Sequence, residues 1–153
     1  MPPRRKWLTL VLALAGVEML LLAAQYFLGL WTNVYAPSMF TSNSSFPSLD
    51  WHYNIGYILF LLGIVVLIFA GLARDLRLIL SAIVVVATVY AAGAFGAAFV
   101  SSSPNDPLDS FGMGVMFLVA FLANSATLML ASRARRTTVA PHATVAPAQP
   151  GPA

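Results

Sequence analysis

Four long runs of apolar residues, at 7–31, 51–72, 76–100 and 111–131, divide the chain. Each is bounded by polar, charged or helix-breaking residues: Pro2, Pro3 and 4–6 before the first, 37–50 before the second, 74–77 before the third, and 101–110 before the fourth. A hydrocarbon core about 30 Å thick is crossed by roughly 20 helical residues rising 1.5 Å each, so every run is long enough to span it. Strands of a membrane barrel would be about ten residues long with alternating polarity, and these runs do not alternate. The pattern predicts an all-α fold, an integral membrane four-helix bundle of antiparallel, up-down topology. Its parts are a basic segment at 1–6, a transmembrane domain at 7–131 and a tail at 132–153.

Composition agrees. Of 153 residues, 59% are hydrophobic and 8% charged, whereas a soluble domain carries about 25% charged residues. Too little polar surface remains to cover a water-facing globule, which excludes most soluble enzyme folds. The absence of cysteine excludes disulfides, thiolate zinc sites, cysteine-ligated iron–sulfur clusters and a cysteine nucleophile.

A net charge of +3 would suggest nucleic acid in a soluble chain, but here the placement of the charges decides their meaning. The eight basic residues form three clusters: Arg4, Arg5 and Lys6; Arg74 and Arg77; Arg133, Arg135 and Arg136. With four crossings these segments share one side, which the positive-inside rule makes the cytoplasm. Both termini are expected there, in a multi-pass protein of the plasma (cytoplasmic) membrane. The opposite loops, 32–50 and 101–110, hold no Lys or Arg but do hold Asp50, Asp106 and Asp109. Topology therefore explains the basic residues, and no nucleic-acid partner is expected. Trp7, Trp31, Tyr35 and Trp51 lie near span ends, where amphipathic rings favour the interface.

Ala13-Leu14-Ala15 behind the basic N-terminus resembles a signal-peptidase site. The apolar run before it is short and hydrophobicity continues to Leu30, so an uncleaved first span is expected. Asn43-Ser44-Ser45 matches the glycosylation sequon, which matters only in a eukaryotic secretory pathway. Beyond Arg136 the chain repeats Thr138-Val139-Ala140-Pro141 as Thr144-Val145-Ala146-Pro147 and has little to bury, predicting a disordered cytoplasmic tail in which His142 is incidental.

In lipid, close packing of small residues brings helices together. The second span carries Gly56, Gly63 and Gly71, and the third carries the pairs Ala92/Gly96 and Gly93/Ala97. These faces are expected to meet other helices. About four residues join the second and third spans, which predicts a hairpin.

One ionisable residue, Glu18, falls near mid-membrane, where an acid costs about 2.5–3.5 kcal/mol on insertion scales. At similar depth lie Thr88, Asn124, Ser125 and Thr127, none of them basic. The expected state is a protonated or water-linked carboxyl hydrogen-bonded to Asn124 or Thr88. Such a group is either a proton or cation site or an interhelical polar clamp.

A polar and aromatic cluster gathers toward the outer face: Gln25, Tyr26, Asn33, Tyr35, then Asp50-Trp51-His52-Tyr53-Asn54, with Tyr57 one turn further in. His52 suits a haem or metal ligand, a pH-sensitive site, or an interfacial ring with a wet tip. No second histidine lies within helical spacing and no span carries paired carboxylates, so no dimetal centre and no metal site of His52 alone is expected. Met113 and Met116 are the soft groups at comparable depth. Neither a Ser-His-Asp pattern nor a phosphate-binding loop is present, so no catalytic residue is assigned.

The first span ends Leu28-Gly29-Leu30-Trp31-Thr32-Asn33-Val34-Tyr35-Ala36-Pro37, and the second opens His52-Tyr53-Asn54-Ile55-Gly56-Tyr57. A short basic turn, a Gly/Ala-rich third span and a fourth with Asn124 follow. This order resembles, over about residues 7–131, the small prokaryotic four-helix membrane proteins similar to one half of haem A synthase. In that family histidines at the outer starts of the second and fourth helices hold haem between them. His52 matches the first position, while the second falls near Ser110 or Phe111, which cannot ligate iron. The resemblance therefore implies haem held by His52 together with Met113, Met116 or another subunit.

The chain is also similar to small multidrug-resistance exporters in having four helices and a membrane-embedded Glu in the first. Those proteins insert both ways and need weak charge bias, which this chain lacks. The reading favoured is a non-catalytic accessory or interaction protein whose partners are the lipid bilayer and other membrane subunits or a homo-oligomer. Its alternatives are a haem-binding or haem-related redox protein and a proton-coupled small-molecule carrier using Glu18.

Overall fold

A computed structural model describes the backbone of residues 3–39, 47–101 and 106–137, and among these the side chains of 4–31, 50–101 and 106–137. The sequon, the tail repeat and His142 lie outside the described residues, as do the side chains of Asn33 and Tyr35.

The described chain is helical: α1 (Pro3–Met39), α2 (Pro47–Ala73), α3 (Leu76–Ser101) and α4 (Pro107–Thr137). All four are long and apolar enough to cross a membrane. Most extend past the apolar runs that predict them, because apolarity measures membrane thickness whereas a helix continues as long as its hydrogen bonds do. Thus α1 takes in the basic Arg4, Arg5 and Lys6 and continues past Trp31, and α4 carries Arg133, Arg135 and Arg136 within its last turns instead of ending at Ala131.

Specific residues set the ends. Pro47 and Pro107 open α2 and α4, where a missing N–H costs nothing. Asp106 caps α4 by accepting from Leu108 N at 2.9 Å, and Asp75 caps α3 by accepting from Arg77 N at 3.2 Å. Two residues, Arg74 and Asp75, join α2 to α3, fewer than the four expected. Arg74 turns the chain in the left-handed region at φ 54°, and its N–H donates to the Gly71 carbonyl at 3.0 Å. Arg4 at the start of α1 approaches Asp75 at 3.6 Å, tying that end to this turn.

Each helix packs against two others: α1 against α2 and α4, and α3 against α2 and α4, and among the described residues the backbones of the diagonal pairs do not approach closely. Toward the basic end, Leu8 and Val11 of α1, Val66, Ala70 and Ala73 of α2, Leu78 and Ala82 of α3 and Ala131 of α4 form one buried cluster. A hydroxyl–hydroxyl bond between Ser81 and Thr127 joins α3 to α4 near it. A smaller cluster of Leu22, Leu59 and Ala120 lies further along, and beyond it the bundle opens.

Candidate functional site

The opening is a cavity of about 430 Å³ lined by all four helices in the half away from the basic residues. Ligand sites commonly measure about 300–1,000 Å³ and are mostly apolar with a few polar groups, which describes this one. Its α3 wall includes a run of small residues, Ala92, Gly93, Ala94, Gly96 and Ala97. A Cβ on Gly93 would meet nothing within 4 Å, whereas one on Gly96 would lie 3.5 Å from the Met113 sulfur of α4. The two small-residue pairs therefore divide. Gly96 receives α4 as expected, while Gly93 faces the cavity instead of a neighbouring helix. The cavity is open: Tyr57 and Tyr90, which line it from α2 and α3, are 70% and 68% exposed.

Gln25 and His52 bring polar groups to the wall from α1 and α2, beside Ser110 and the hydroxyls of Tyr26, Tyr53, Tyr57 and Tyr90. Gln25 is buried in α1, and its Nε2 donates to the His52 main-chain carbonyl at 3.0 Å. That acceptor fixes which way the amide points. The two side chains cross reciprocally over glycines one turn along. The His52 ring sits 3.4 Å from where Gly29 would carry a Cβ, and the Gln25 amide sits 3.6 Å from the same point on Gly56. Gln25 Oε1 and His52 Nδ1 are buried without a hydrogen-bond partner among the described residues.

The rest of the outer cluster is spread around this site. Tyr26 lines the cavity and stacks on Phe117 of α4 at 5.9 Å, and Met113 lines it from α4. Trp51 is exposed and does not line the cavity, and Asp50 is exposed in the first turn of α2.

One turn below the cavity, Glu18 is 0% exposed, and neither carboxyl oxygen has a hydrogen-bond partner among the described residues. The bonds expected from Asn124 or Thr88 are not formed. Thr88 uses its hydroxyl on its own helix, donating to Val84 O at 2.7 Å, an acceptor that a helical threonine always has within reach. Asn124, also fully buried, donates from Nδ2 to Ala15 O at 3.0 Å, one turn before Glu18. Ser125 likewise bonds its own helix at Phe121 O. The polar clamp between α1 and α4 is thus made by Asn124 and a main-chain carbonyl rather than by Glu18. Sequence reasoning missed Ala15 because main-chain carbonyls carry no compositional signal.

Among the described residues, no group of three or more His, Cys, Asp or Glu could hold a metal ion. No protein-family profile, characterised protein or solved structure matches the chain. The chain is an integral, multi-pass membrane protein by its four spanning-length apolar helices.

Proposed function

We propose that this is a non-catalytic binding protein of the cytoplasmic membrane, an accessory or interaction subunit. It holds an apolar, membrane-soluble ligand between its helices, with both termini cytoplasmic and the helices running up and down in turn. The observation that carries this reading is the cavity of about 430 Å³ walled by Gly93 and its small neighbours. In a bundle whose helices otherwise associate through close contact, a small-residue wall facing a cavity offers packing surface that a ligand seated there would use. Native mass spectrometry of the protein extracted in mild detergent tests it. The expected result is an adduct of constant mass on the wild type that is lost in Gly93→Phe, whose side chain starts from a Cβ that meets nothing within 4 Å and takes up cavity space. An identical spectrum for both proteins would rule the reading out.

Haem is the second reading. The donors in the same cavity are the imidazole of His52, with Nδ1 unpartnered, and the thioether of Met113. A His/Met pair is a known axial set, and bound haem would supply one-electron chemistry. Ser110, at the position where the resembling family has its second histidine, offers no such donor. A Soret band in protein purified from haem-supplemented cells and lost in His52→Ala would favour haem. A colourless preparation would exclude it.

A further inference from the structure

Glu18, Gly63 and Asn124 occupy one level of the bundle, on α1, α2 and α4. A Cβ on Gly63 would lie 3.0 Å from Glu18 Oε1 and 3.1 Å from a methyl of Val86 on α3, so all four helices close around this level. One turn toward the cavity on the same three helices stand Leu22, Leu59 and Ala120. They are at most 1% exposed, form one cluster, and line the cavity floor. A single apolar layer therefore separates the cavity from the carboxyl. In the other direction, the packed cluster from Leu8 to Ala131 fills the bundle down to the basic end. Four residues along a helix amount to about 6 Å, and the twelve from Glu18 to Lys6 to about 18 Å.

The level holds three buried acceptors without partners among the described residues, namely both oxygens of Glu18 and Asn124 Oδ1. The nearby donors are engaged, Asn124 Nδ2 with Ala15 O and Thr88 Oγ1 with its own helix. Among the described residues, no ion pair involves the carboxyl. An ionised carboxylate in such a place carries a large desolvation cost, and each unmet acceptor adds to it. A proton on Glu18 removes the charge and supplies the one donor that the three acceptors lack.

From this arrangement we propose that Glu18 is a proton-binding site, with Asn124 Oδ1 as acceptor of the carboxyl proton, loaded from the cavity through the Leu22–Leu59–Ala120 layer. The step is simple: a hydronium ion from the cavity passes the layer when those side chains part, gives its proton to the carboxylate at hydrogen-bond distance, and returns to the cavity as water. Gly63 of α2 lies against Glu18, with Val86 of α3 on its other side and Asn124 of α4 bonded to Ala15 one turn away, and none of these groups titrates. The titratable groups of the cavity above are His52, Tyr26, Tyr53, Tyr57 and Tyr90. The site does not depend on what ligand the cavity takes.

Dicyclohexylcarbodiimide, an apolar reagent that attacks protonated but not ionised carboxyls, tests the proposal on the full chain in liposomes. Peptide mass spectrometry is expected to place the adduct on Glu18 of the wild type, at a rate that falls as the pH is raised. Leu22→Ala, which thins the layer, is expected to speed labelling severalfold, and Leu8→Ala, in the basic-end cluster, to leave it unchanged. Because the adduct is located on the wild type, a Glu18→Gln protein that fails to fold leaves the test intact. Absence of the adduct at every pH overturns the proton site. Protection by sodium chloride but not by choline chloride makes it a cation site instead. Equal acceleration by Leu8→Ala overturns the route.

Discussion

The side-chain amide of Asn124 on α4 donates to the main-chain carbonyl of Ala15 on α1 at 3.0 Å, joining positions 109 residues apart in the chain. It is the polar link between the first and last helices at the depth of Glu18. Interhelical side-chain bonds in membranes are worth about 0.6 kcal/mol on average and up to about 1.7. Asn124→Ala also leaves a void at a fully buried position, so it is expected to destabilise the bundle by about 1–3 kcal/mol. Unfolding by titration with sodium dodecyl sulfate measures this. A cycle combining Asn124→Ala with Glu18→Gln is expected to be non-additive by at least about 0.5 kcal/mol, since neighbouring groups couple.

Gly112 of α4 takes the ring of Phe95 from α3, and a Cβ there would lie 2.8 Å from Phe95 Cε1 and 2.9 Å from Cδ1. The ring would have to move, and overpacking of this kind costs about 1–3 kcal/mol. Gly112→Ala is therefore expected to lower stability, weakening α3 against α4. Gly114→Ala, two residues on, meets nothing within 4 Å. There the better helix propensity of alanine is unopposed and stability is expected to rise by up to about 1 kcal/mol. Opposite shifts in thermal unfolding in detergent check the pair.

The two-residue turn between α2 and α3 makes a third prediction. Asp75 Oδ1 accepts from the N–H groups of Arg77 at 3.2 Å and Leu78 at 3.5 Å. Asp75→Ala removes this cap and is expected to cost about 0.5–2 kcal/mol. Arg4→Ala, which removes only the exposed ion pair with Asp75, is expected to change stability little. Arg74→Gly relieves a side chain held at φ 54° and is expected to stabilise by about 1 kcal/mol. The same detergent unfolding assay ranks the three.

What could be read from the sequence follows from where the physics is local. The spans were legible because apolarity over some twenty residues is a property of the run alone, and Glu18 stood out because a carboxyl inside such a run is costly wherever the neighbours lie. The partners of the polar groups were not legible. Thr88 prefers the carbonyl of Val84 on its own helix to any group across the bundle, and Asn124 finds Ala15 O, a choice that the residue type of Ala15 does not announce. The cavity was hidden for a related reason. Gly93 and Gly96 belong to equivalent sequence patterns, and only the arrangement of the helices directs one at open space and the other at Met113. Gln25 and His52 were both visible as part of an outer cluster, but their crossing over Gly29 and Gly56 depends on the register of α1 against α2.

Orientation is the last prediction, and the chain is well suited to it because it contains no cysteine to remove. All eight basic residues lie in or beside the segments at one end of the bundle, and the opposite connections carry none. With a bias this complete, insertion in one direction is favoured for every copy. Ser101 closes α3 at the far end and Thr137 closes α4 at the basic end, and both are exposed. In intact cells a membrane-impermeant maleimide is expected to label Ser101→Cys and to spare Thr137→Cys, with the reverse in inside-out vesicles. Labelling of both positions from both sides would mean dual insertion. The bundle would then work as an inverted pair, and the cavity would open on both sides of the membrane.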